Sequence, residues 1–125
     1  MVMTLIQVGL GGAIGSVLRF GIGLAVARFA SVSFPLAILP VNVLGSFLMG
    51  LVVVYTFQRD LTYLNPFLMT GILGGFTTFS AFSLEAFTLY EQGEVAQAIL
   101  YVLASVIMSI LGLALGVWLA RTVWA

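Results

Sequence analysis

Four apolar stretches, each long enough to cross a bilayer, occupy almost the whole of this 125-residue chain. A helix spanning the hydrocarbon needs about 20 mostly apolar residues. The first stretch runs from about Thr4 to Phe29, and Ser31 to Pro35 form the connection that follows it. The second covers about 35–57 and leaves through the polar Gln58-Arg59-Asp60. The third covers about 64–90, and after the polar turn Glu91-Gln92-Gly93-Glu94 the fourth covers about 95–120. Residues 1–125 therefore read as one all-α membrane domain of four helices, with nothing left over for a soluble domain. Composition agrees, because only 6% of the residues are charged. A soluble domain carries about a quarter, and this chain has too few to cover its own surface in water. The first stretch is expected to be retained rather than cleaved. Met1 to Gln7 carry no charged side chain, and the apolar run continues past Phe20, longer than a signal core.

The missing residue types exclude whole classes of function. There is no cysteine and no histidine, and the basic residues are four arginines set against four carboxylates. Disulfides and thiolate metal sites are ruled out, and the commonest general base is absent. No nucleophile–base pair is visible, so an enzyme is not expected. Without a basic patch, neither is a nucleic-acid partner. Arginine bias sets orientation in membranes. Here Arg59 and Arg121 fall on one side and Arg28 on the other. So feeble a bias leaves two readings, a chain that inserts both ways and pairs antiparallel, or a fixed orientation set by weak signals. Four helices enclose little by themselves, so a pathway through them calls for a second copy. Gly11 with Gly15, Gly71 with Gly75 and Gly112 with Gly116 would let helix backbones approach, between copies or within one chain.

The third stretch is interrupted by Gly74-Gly75-Phe76-Thr77-Thr78-Phe79-Ser80. Paired glycines followed by threonines weaken a helix. In hydrocarbon an opened turn leaves carbonyls needing a partner, so breaks persist only when buried in protein or lining a cavity, where such carbonyls can coordinate a cation. The rival reading is a kink with Thr77 and Thr78 bonding back to the preceding turn. Phe79 and Phe82 lie three apart on one helical face, with Ser80 and Ser83 beside them. Aromatic rings on a membrane helix usually pack, yet a phenyl ring has a positive edge that can face an anion.

The other stretches carry fewer polar groups. Asn42 follows Pro40 closely, and its amide either donates to an anion or ties helices together. Pro40 denies the Leu36 carbonyl a helical partner, so this turn is expected to be distorted. Tyr101, Ser105 and Ser109 stand at i, i+4 and i+8, a hydroxyl stripe about 12 Å long. Arg19 and Glu85 are the charges deepest within the spans, expected to pair with each other or, for Arg19, to reach for an interface. Structural or vestibule roles suit both. Hydroxyls, an amide and phenyl edges together suit a small, weakly polarisable anion.

The decapeptide from Gly74 to Ser83 resembles the signature of the Fluc (CrcB-type) fluoride channels. Gly11-Gly12 through Gly15 to Arg19, and Val41-Asn42 through Gly45-Ser46-Phe47, resemble that family's other two signatures. The resemblance covers the whole chain. It implies an antiparallel, dual-topology homodimer in a bacterial inner membrane, with two fluoride pores along the interface and passive fluoride export. By the same resemblance, Phe79 and Phe82 line the pores and Asn42 donates to the ion. Tyr101, Ser105 and Ser109 form a polar track, Arg19 stands near the pore entrance, and the carbonyls of Gly74 and Thr77 from both subunits hold a structural sodium ion. Ala37-Ile38, Pro40 and Ala81 depart from the family's pattern. The main rival is a small multidrug-resistance transporter, which wants a glutamate in the first span, where this chain has Arg19 and no acid. A non-transporting assembly subunit is a third reading.

Overall fold

The computed structural model describes residues 1–29 and 37–124. The connection expected at Ser31 to Pro35, and Leu36 with it, lie outside the described residues. Helix α1 covers Val2–Phe29 and α2 covers Ile38–Gln58. The third span is composite. A short 3₁₀ turn at Thr62–Leu64 leads into a π-helical segment, Pro66–Leu73, continued by one α-turn at Gly74–Phe76. After a break, α3 covers Phe79–Glu91, and α4 then covers Val95–Trp124. All four spans are long and apolar enough to cross a membrane.

Both polar joints form as expected, each around one left-handed residue. Gly93, with φ of 81°, ends α3 with the Glu94 N–H reaching back to the Leu89 carbonyl at 3.0 Å. Glycine adopts this conformation without a Cβ penalty. Asp60, with φ of 56°, plays the same part after α2, where the Leu61 N–H reaches the Thr56 carbonyl at 2.8 Å. Pro40 falls within the first turn of α2. Amides there have no partner inside a helix, which is why proline is tolerated at that place.

Glycines set how the helices meet. Gly11 and Gly15 are the only buried residues of α1. A Cβ on Gly11 would lie 2.9 Å from the Gly71 Cα, and one on Gly15 would meet the Ile72 carbonyl. Gly112 and Gly116 seat α4 on α2, against Val43 and Phe47. Lipid gives no hydrophobic drive between helices, so close backbone approach is what binds them. All three glycine pairs thus serve packing inside the subunit. Nearer the start of α4, on the same stripe as those glycines, Ala98 and Tyr101 join Ile38, Phe82 and Leu89 in the side-chain core.

Candidate ion pathway

Helical geometry fails at the two threonines. Thr77 sits at φ −87°, ψ 153° and Thr78 at φ −152°, ψ 125°, both extended. The paired glycines before them stay helical in kind, Gly74 at φ −64°, ψ −37°. Gly75 is needed for a different reason, since a Cβ there would lie 2.6 Å from the Gly12 carbonyl oxygen. The interruption expected over the whole Gly74–Ser80 stretch is therefore narrower and belongs to the threonines.

Side chains from two neighbouring helices hold the break open. Asn42 on α2 accepts the Thr78 N–H through Oδ1 at 2.9 Å and donates Nδ2–H to the Thr78 carbonyl at 3.0 Å. Thr78 also begins α3, its hydroxyl accepting the Ala81 N–H at 3.2 Å. The Thr77 hydroxyl turns back to the Leu73 carbonyl at 2.8 Å, the back-bonding that the rival kink reading gave to both threonines and that Thr77 alone makes. Arg19 Nε on α1 donates to the Gly75 carbonyl at 3.1 Å.

These bonds decide which carbonyls are left over. In an unbroken helix the Gly74 carbonyl would take the Thr78 N–H, and the Thr77 carbonyl the Ala81 N–H. The first donor goes instead to Asn42 and the second to the Thr78 hydroxyl. Neither carbonyl gains a side-chain donor among the described residues. Both residues line the same groove.

That groove has a volume of about 460 Å³. Helix α2 contributes Asn42 and Ser46, the third span contributes Phe79 and Phe82 beyond the break, and α4 contributes Ser105 and Ser109. The hydroxyl oxygens of both serines are buried without a hydrogen-bond partner among the described residues. Ser105 stands next to the Tyr101 hydroxyl, whose own proton goes to Glu85. The phenyl rings lie 5.3 Å apart at 60°, and Phe82 rests on Tyr101 at 5.4 Å. Phe82 is buried while Phe79 is 76% exposed on the outer surface.

Some expected residues lie elsewhere. Tyr101 is fully buried beneath Phe82, and its hydroxyl donates to a Glu85 carboxylate oxygen at 2.5 Å. Glu85 and Arg19 thus each hold another partner and do not pair. Ser83 turns its hydroxyl to the Phe79 carbonyl of its own helix at 2.9 Å, and Ser80 meets the Thr78 hydroxyl at 3.2 Å. Neither lines the groove. Ser46, not singled out as a site residue, does line it. Its i+4 relation to Asn42 is the signal that marks it. The part of Thr78 is played by its main chain, so its residue type carries little of that information.

Comparison with known proteins follows the same lines. Residues 6–117 match the family described as CrcB-like protein, Camphor Resistance (CrcB). A protein of Roseobacter denitrificans named fluoride-specific ion channel FluC is 55% identical over 97% of this chain and 98% of its own length. One of the same name from Ruegeria sp. is 54% identical over 98% of each chain. One from Jannaschia sp. is 67% identical over 74% of this chain and 89% of its own length. A match over nearly the full length, at these identities, shows that the chain is a member of the CrcB-like, Fluc-type family of ion channels.

Proposed function

We propose that this chain is the subunit of a fluoride-selective channel, built as an antiparallel homodimer that lets fluoride leave the cell passively across the inner membrane. The observation that carries the reading is the groove, where the Ser109 hydroxyl, without a partner among the described residues, and the Ser105 hydroxyl beside Tyr101 open between Asn42 and the Phe79–Phe82 pair. Hydroxyls donate to an anion and ring edges attract one, while among the described residues no cationic side chain lines the groove to trap it. The relatives' names supply the identity of the anion.

Bilayer physics supports a second copy. Phe79 and Gly74 are exposed on a single subunit and Thr77 is half-buried beside them, and hydrocarbon cannot satisfy exposed backbone polar groups. A second copy laid antiparallel over this face would cover them and complete two ion paths, one beside each groove. Nearly balanced arginines favour such dual insertion. The carbonyls of Gly74 and Thr77 also fit sodium, a hard cation that takes oxygen ligands. Bound there, sodium would supply a fixed positive charge beside the anion path and tie the two copies together.

The test is flux. In liposomes loaded with fluoride, the purified protein should release fluoride to an electrode once the membrane potential is shunted, and release no chloride. Absence of fluoride release, or equal chloride movement, would defeat this reading.

A further inference from the structure

We infer that Asn42 is the positioning residue that opens the cation site, in addition to any contact it makes with the anion. The inference rests on the cation reading above. An asparagine amide has one acceptor oxygen and two N–H donors. Oδ1 and one N–H are engaged by the Thr78 main chain at 2.9 and 3.0 Å. The remaining N–H belongs to a residue that lines the groove.

Each of these bonds does something different. Accepting the Thr78 N–H takes it from the Gly74 carbonyl, which then faces the groove as an unclaimed ligand. Donating to the Thr78 carbonyl satisfies a backbone group that hydrocarbon cannot. The third bond is available to an anion. One amide therefore links the carbonyl left for a cation to the path left for an anion. The amide is also firmly placed. One turn along α2, Gly45 sits against the Thr77 methyl, where a Cβ would collide with it. Beside it Val41 is buried. Helix α2 is thereby docked on the break at two successive points.

Substitutions separate positioning from anion contact. Asn42→Leu removes the acceptor, so the Thr78 N–H can return to Gly74 and close the turn. Asn42→Asp keeps an acceptor for the Thr78 N–H while placing negative charge beside the anion path. The readout is the melting temperature of the purified protein in detergent, in sodium chloride and in N-methylglucamine chloride. Well above its dissociation constant, sodium should raise the wild-type melting temperature by about 5 °C or more. Asn42→Leu should lose most of that rise. Asn42→Asp should keep at least half of it while its fluoride efflux falls severalfold. A sodium response in Asn42→Leu equal to wild type would overturn the inference and leave the cation reading standing. If Asn42→Leu cannot be purified, loss of the response in a well-folded Asn42→Asp would overturn it instead. No sodium response in the wild type would defeat the cation reading and this inference together, with wild-type efflux deciding the channel reading separately.

Discussion

The two halves of the third span are built on opposite plans. Before Thr77, the π-helical segment and its α-turn lie against α1 backbone to backbone, with Gly11, Gly12 and Gly15 facing Gly71, Ile72 and Gly75. After Thr78, α3 meets α4 through side chains, with Phe82 on Tyr101 and Leu89 and Ala98 in the same core. A seam of glycines leaves no volume for anything else. A seam of rings and hydroxyls holds the helices further apart and leaves a groove between them. Backbone contact fixes where the span can be broken, and side-chain contact makes the broken end useful.

The largest effect should come from filling the glycine seam. A Cβ on Gly15 would meet the Ile72 carbonyl and lie 2.7 Å from the Phe76 amide nitrogen. Overpacking costs about 1–3 kcal/mol and sometimes more. Here both obstacles are backbone, so Gly15→Leu should fall at or above the top of that range. The expected outcome is loss of a monodisperse species on size-exclusion chromatography. Gly9→Leu is the control, because a Cβ at that exposed position would meet nothing within 4 Å. Should Gly15→Leu elute and melt like the parent, the contrast between the two halves collapses.

Next in size are the rings of the second half. Phe79→Ile changes a side chain that is exposed on the single subunit and outside its core, so fluoride efflux should fall about tenfold while the melting temperature falls less than in Phe82→Ile. Phe82→Ile removes a buried ring that lies between those of Phe79 and Tyr101, so it should lower both efflux and melting temperature. Parallel behaviour of the two variants would mean that both rings only pack. Wild-type efflux in both would remove them from the path.

How much of this was legible in the sequence depends on whether side chains or main chain do the work. Span positions, the Gly93 turn and the hydroxyl register of Ser105 and Ser109 follow from hydropathy and helical period, and the described helices agree with them. The break was legible as a region but not as a residue pair. Glycine propensity drew attention to Gly74 and Gly75, whereas tertiary contact with α1 keeps that turn helical and moves the opening to Thr77 and Thr78. The links from Arg19 to Gly75 and from Asn42 to Thr78 join residues 56 and 36 positions apart through main-chain atoms. No local pattern encodes such links. Ser83 shows the reverse difficulty, since its spacing suits the ion path while in the single subunit its hydroxyl donates to the Phe79 carbonyl.

A smaller effect is expected in the core beneath the rings. Tyr101→Phe deletes the hydroxyl that donates to Glu85 and leaves the carboxyl without that donor. Leaving a buried polar group unpaired costs about 1–3 kcal/mol, and Glu85, being half-buried, should fall at the low end. The melting temperature should therefore drop, with efflux close to wild type whenever the protein remains folded. An unchanged melting temperature would mean that Glu85 finds another donor and that this contact contributes nothing to the second half's packing.

The smallest effects should come from single hydroxyls, and they probe the comparison most finely. The Ser109 hydroxyl has no partner among the described residues and Ser105 has the Tyr101 hydroxyl beside it, so removing either should lower stability little. If these hydroxyls serve the anion, each alanine variant should slow efflux by roughly two- to tenfold, the worth of one hydrogen bond of about 0.5–1.5 kcal/mol. Ser83→Ala deletes a bond that its own helix can do without and that lies off the groove, so both efflux and melting temperature should match wild type. Spacing along the chain does not distinguish these three serines, and only their partners separate them. Equal slowing in Ser83→Ala and Ser109→Ala would show that the path runs along the outer face of α3 as well as through the groove, and the division drawn between the two faces would have to be abandoned.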